Sequence, residues 1–133
     1  MLFRREALEA IAGFDEETFL YWEEFIVADK LETHGYETYF IPESRVLHKV
    51  GASTTKLGAR KFIENVRSEN HYFSEYRNFS RLQLLVLKSV RVAAYLMRCV
   101  VNKDYRARWH DFLSILLETN SPWQRGTSKR KAL

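Results

Sequence analysis

A chain of 133 residues with 46% hydrophobic and 14% aromatic side chains holds ample apolar material for a core. That excludes an intrinsically disordered polymer and fits one modest domain or a piece of a larger one. Twenty-one Lys and Arg against seventeen Asp and Glu leave a net charge of +4, unevenly spread: beyond Leu82 the only acids are Asp104, Asp111 and Glu118.

In chain order, RREALEAIAGF predicts a short helix, with Leu8 and Ile11 on one face and Gly13 suited to the left-handed conformation that ends it. The acid-rich FDEETF reads as a turn. A second helix is predicted over residues 22–34, closed by Gly35. YETYFIP alternates aromatic and polar residues up to Pro42 and predicts a short strand, and SRVLHKVGAS predicts a second, ended by Gly51. From KLGARKFIENVRSENHYFSEYR onward the pattern is helical, with a break at NFS where Asn78 or Ser80 caps the next helix. That helix, RLQLLVLKSVRVAAYLMRCVV, sets Arg81, Lys88, Arg91 and Arg98 within an arc of about 100°, with aliphatic residues over most of the rest. A basic stripe beside a broad apolar face suits an anionic membrane surface; the alternative is packing against a partner domain. NKDYRARWHDFLSILL predicts one more amphipathic helix, and NSPWQRGTSKRKAL a frayed basic tail.

The lone Cys99 leaves no intrachain disulfide and no cysteine-based metal site. No stretch reaches the ~18–20 uncharged apolar residues of a membrane-spanning helix, and the charged N-terminus lacks the order of a secretory leader. The expected location is cytoplasmic, free or against the inner face of the cell membrane. Positive charge without a recognisable motif gives no reason to expect a nucleic-acid partner.

The candidate chemistry lies in FLYWEEF, where Glu23 and Glu24 follow Tyr21 and Trp22. Acids in a first helical turn are favoured by the helix dipole without any chemistry. A carboxylate half-buried among aromatics is also a plausible general base, because burial raises its pKa. Flat rings beside it suit the C–H faces of sugars. His48, a lone histidine in an extended run, is in general more often a packed residue than a ligand.

FRREALEAIAGFDEETFLYWEEF followed by LETHGYETYFIPESRVLHKVGAST resembles the C-terminal half of the catalytic domain in family 2 glycosyltransferases of the GT-A fold, rhamnosyltransferases among them. The order and spacing of the FRR strand end, the G-FDE turn, the F-Y-x-E-E acidic motif, the G-Y strand and the V-x-H-x-x-G-x-S segment carry the resemblance over residues 2–54. It implies an α/β fold: a partial GT-A domain of helices plus two short strands, followed by a mostly helical tail. The implied divisions are an acceptor-side half over 1–55, a helical extension over 56–120 that membrane association would suit, and a flexible basic tail over 121–133. It also implies transfer of a sugar from a nucleotide-diphosphate donor to a glycan or lipid-linked acceptor in cell-surface polysaccharide synthesis. Glu24 then stands as catalytic base, Glu23, Trp22 and Tyr21 as substrate-binding residues, and His48 as a ligand of a divalent cation, Mg or Mn. Ile26 departs from the Asp that many relatives carry two residues after the base. No D-x-D motif, Gly-rich phosphate loop or series of buried strands is present. The donor and the metal therefore call for a missing N-terminal half or a partner chain, without which the chain is expected to be inactive. The alternative is a noncatalytic remnant or accessory module that binds membrane or protein.

Overall fold

The computed structural model describes residues 1–47 and 57–117. They contain α1 (Arg5–Ala10), α2 (Glu23–Thr33), α3 (Ala59–Glu75), α4 (Arg81–Val101), α5 (Lys103–Ala107) and α6 (Trp109–Leu117). No strand occurs among the described residues, so the expected α/β class and its two short strands are overturned and the fold is helical. The first predicted strand lies in an irregular segment where Tyr39, Phe40, Val46 and Leu47 are exposed. An alternating pattern becomes a strand only beside a neighbour that completes its hydrogen-bond ladder, and the described residues offer none. The second predicted strand runs on beyond the described residues.

The helix boundaries follow from local chemistry. Gly13, with φ +74°, closes α1 by donating to the Leu8 carbonyl at 2.9 Å. Asn78, with φ +50°, ends the turn after α3, and Phe79 N–H reaches back to the Phe73 carbonyl at 3.0 Å. Ser80 then opens α4 in a reciprocal capping box with Gln83. Of the two candidate caps in NFS, Ser80 is the one that caps the helix. Beyond residue 102 the predicted single helix is two, broken at Arg108.

α3 is the shared element. On one side Ile63 and Val66 join Tyr95, Phe112 and Ile115 in an apolar core. The Tyr95 and Phe112 rings stack 3.9 Å apart and 5° from parallel. Tyr95 donates its hydroxyl to the Tyr105 carbonyl at 2.7 Å, and burial pushes its phenol up to about 12. Glu69, 2% exposed, accepts two hydrogen bonds from Arg91 and fastens α3 to α4. Asp104 caps α3 from outside by accepting the Ala59 N–H at 2.6 Å. A side chain on Gly58 would collide with that carboxylate. Ala7, Ile11, Val27 and Leu31 form a second, smaller cluster between α1 and α2.

The basic stripe of α4 turns toward the bundle. Lys88 donates to the Leu116 carbonyl at 2.8 Å, Arg91 engages Glu69, and the Arg98 guanidinium lies 4.5 Å from the centre of the Phe62 ring. Tyr95 is the one buried residue of this helix, and its aliphatic face points outward.

Candidate functional site

FLYWEEF lies where the N-terminal segment meets α3. Tyr21 and Trp22 are consecutive left-handed residues, with φ +63° and +70°. That conformation costs an L-residue about 1–2 kcal/mol. The neighbours that hold it are clear. The Trp22 indole packs against Phe25, Tyr72 and Phe73, with ring centres 5.1, 5.2 and 5.3 Å away, and donates to Asn65 Oδ1 at 3.2 Å. Lys61 sits 5.7 Å from the centre of the Tyr21 ring.

Tyr21 lines a groove of about 280 Å³ together with Gly58, Lys61, Phe62, Asn65, Arg98 and Tyr105. Two cations, one amide and two phenols converge there with no acid in the lining. Such a surface stacks on a sugar ring or accepts an anion, and a volume just under the usual range for binding sites suits no more than one sugar or one diphosphate.

The two carboxylates open α2, two and three residues after Tyr21, and do not line the groove. Glu23 is half-buried and Glu24 is exposed. Of the two aromatics, Tyr21 faces the groove while Trp22 is committed to the aromatic cluster. His48 lies outside the described residues, as do Gly51 and Ser53. Among the described residues no group of three or more His, Cys, Asp or Glu is placed to hold a metal ion.

The loop that carries FLYWEEF is anchored by a network with no counterpart in the sequence expectations. Asp15 accepts from His71 Nε2 at 2.9 Å, from the Tyr76 hydroxyl, and from the Glu17 N–H at 2.8 Å. Burial works against the Asp15 charge, but the bonds from His71, Tyr76 and Glu17 outweigh it and hold the carboxyl well below its ordinary range. Burial likewise opposes protonation of His71, and Asp15 reverses that, so the imidazole is raised above 6.5. Burial and the same carboxylate push the Tyr76 phenol upward. One turn along, Tyr72 donates to Asp29 at 2.9 Å, with Arg77 3.6 Å from that carboxylate. This part of α3 therefore buries Ser68 and Tyr72 and is the seam on which the loop is laid. Asp15, Asn65, Tyr76 and Tyr105 have no role in the sequence expectations, and Arg98 figures there only in the basic stripe. Only Asp15 carries a local signal, as the aspartate that turns FDE by bonding its own backbone two residues on.

A stretch of 54 residues, 41% of the chain, is 37% identical to N-acetylglucosaminyl-diphospho-decaprenol L-rhamnosyltransferase of Mycobacterium tuberculosis, from both strain CDC 1551 / Oshkosh and strain ATCC 25618 / H37Rv. The chain spans 18% of the length of each of these curated relatives. No family model matches the chain, and no solved structure matches it. The partial match relates this chain to a glycosyltransferase.

Proposed function

We propose that the chain is the acceptor-side part of a family 2 glycosyltransferase of GT-A type, moving a sugar from a nucleotide-diphosphate donor to a lipid-linked acceptor in cell-surface polysaccharide synthesis. The relatives' own name gives L-rhamnose as the sugar and N-acetylglucosaminyl-diphospho-decaprenol as the acceptor, and both are adopted as the working substrates. One observation carries the reading: the strained Tyr21–Trp22 pair is held in place by side chains of α3 immediately before two carboxylates and beside a groove of rings and cations. Backbone strain of this kind persists where the surroundings over-determine it, and it clusters at functional sites.

In this reading the acceptor sugar stacks on Tyr21. Glu24 takes the proton of the acceptor hydroxyl as its oxygen attacks the anomeric carbon and the bond to the diphosphate breaks, inverting that centre. Glu23 hydrogen-bonds acceptor hydroxyls, and Lys61 and Arg98 face the acceptor's own diphosphate. A divalent cation finds no ligand set among the described residues, so no step here runs through one.

In a protein that carries this sequence together with its donor-binding part, Glu24→Gln lowers kcat by about 10²-fold or more while acceptor affinity holds. Turnover equal to the parent removes Glu24 as the base. A second reading, a noncatalytic accessory module, is favoured by the exposure of Glu24 outside the groove. It predicts acceptor binding that Tyr21→Ala abolishes and no transfer under any pairing.

A further inference from the structure

The largest feature that the proposed function leaves unused is the outward face of α4. Leu82, Leu85, Val90, Met97 and Val100 are each more than half exposed and, at about 100° per residue, fall on one side of the 21-residue helix. Isolated exposed aliphatics are ordinary, but a continuous band along a helix of roughly 30 Å is larger than a soluble monomer usually shows. The polar groups within the band are few. Ser89 satisfies its hydroxyl on the Leu85 carbonyl at 2.8 Å, which leaves Gln83 near one end.

We infer that this face docks on a lipid bilayer, with α4 lying along the surface and its aliphatic side chains sunk among the acyl chains. Three observations favour lipid over a protein partner. The band is Leu, Val and Met without an aromatic or a charge, whereas protein interfaces draw their binding energy from Tyr, Trp and Arg. The helix contains no acid, and exposed cations stand at both ends: Arg81 at the start, and Arg106 at the finish, where it donates to the carbonyls of Cys99 and Val100. Cations so placed reach phosphate headgroups while the band is immersed. Finally, among the described residues no helix is long and apolar enough to cross a membrane, so a band of this length lies on the bilayer rather than through it.

This differs in kind from the attachment that the basic stripe suggests. Lys88 and Arg91 are tied into the bundle and Arg98 stands over Phe62 at the groove, so the attraction is chiefly hydrophobic and only its ends are electrostatic. The inference leans on the proposed function for one point, that a lipid-linked acceptor gives the face a reason to exist. Its test involves no sugar transfer, so a failed transfer assay leaves it standing.

The experiment is flotation of the full chain with vesicles of phosphatidylcholine alone and of phosphatidylcholine with phosphatidylglycerol, at low and high salt. Binding to both is expected, stronger on the anionic vesicles by less than about tenfold and largely retained at high salt. Leu85→Glu and Met97→Glu, at positions too exposed to disturb folding, each lower partitioning by about tenfold or more, with helicity by circular dichroism unchanged. No flotation, or flotation confined to anionic vesicles and lost in salt, overturns the inference. So does a concentration-dependent dimer in sedimentation equilibrium that Leu85→Glu dissolves, since a second copy then covers the band.

Discussion

The two long sides of α3 solve the same problem with different chemistry. Toward α4 and α6 the helix presents Ile63 and Val66 to Tyr95, Phe112 and Ile115, an apolar core held by area and ring stacking. Toward the N-terminal segment it presents Asn65, His71, Tyr72 and Tyr76, and the joint is made of directed hydrogen bonds to Trp22, Asp29 and Asp15. Burial of apolar area is non-directional and tolerates small shifts, whereas a seam of hydrogen bonds fixes orientation and leaves a costly unpaired group when one member goes. The side that needs cohesion is chiefly greasy, pinned by the Glu69–Arg91 pair. The side that must hold two left-handed aromatics beside a groove is polar and aromatic.

The difference is broken most severely on the apolar side. Phe112→Ala removes a ring that is 3% exposed and stacked on Tyr95, a loss of about 3–5 kcal/mol. Stability falls for the whole bundle, so urea denaturation followed by circular dichroism shows a lower midpoint in one transition. A normal midpoint would mean that the α3–α6 core is not what holds the fold together.

The polar side is expected to fail locally. Asp15→Asn keeps the shape but removes the charge to which His71 and Tyr76 donate, a loss of about 2 kcal/mol for charge-assisted bonds. Hydrogen exchange reads the consequence: amides of residues 14–22 lose protection while those of α4 and α6 keep theirs. Uniform deprotection across both would erase the contrast between the two sides and make Asp15 an ordinary stabilising residue.

How much of this was legible in the chain follows the same division. Helix boundaries were readable because they are set within a few residues: Gly13 after ALEAIA, Gly35 after the second helix, and Ser80 three residues before Gln83. The strands were misread because YETYFIP has the right alternation and nothing to pair with, and pairing is a property of distant segments. The direction of α4 was also hidden. A helical wheel groups Arg81, Lys88, Arg91 and Arg98, yet whether that arc faces water depends on Glu69, twelve residues before the helix begins, and on the Leu116 carbonyl beyond its end. For the site, FLYWEEF announced its carboxylates and rings, and the resemblance to a glycosyltransferase could be built on it. Which ring faces the groove, and what clamps the loop, depended on Asn65, His71 and Tyr76, more than forty residues away.

The finest test of the contrast is its dependence on pH, because the polar side is held by Asp15 with His71, whereas the other side is held by apolar packing and the Arg91–Glu69 pair. Asp15 has a folded pKa below its ordinary 3.8, so its contribution is complete above that value and is lost as the pH falls toward the depressed one. His71 has a folded pKa above its ordinary 6.5, so its contribution is complete below 6.5 and fades as the pH rises through the raised value. The charges that act on the imidazole are Asp15 across the seam, Glu17 on the same loop and Glu75 on its own helix, and the neutral Tyr76 phenol shares Asp15 with it. The clamp is therefore whole between these limits and slackens above them, modestly, since neutral imidazole can still donate one hydrogen bond. Exchange rates for residues 14–22, corrected for intrinsic pH dependence, should rise by a few-fold between pH 6 and pH 8.5, with α4 and α6 flat. In Asp15→Asn the rise should vanish, because His71 has lost the charge that raised it. A parental slope that survives in that variant assigns the pH dependence to some other group, and the seam then owes its order to packing of Trp22, Tyr72 and Phe73 alone.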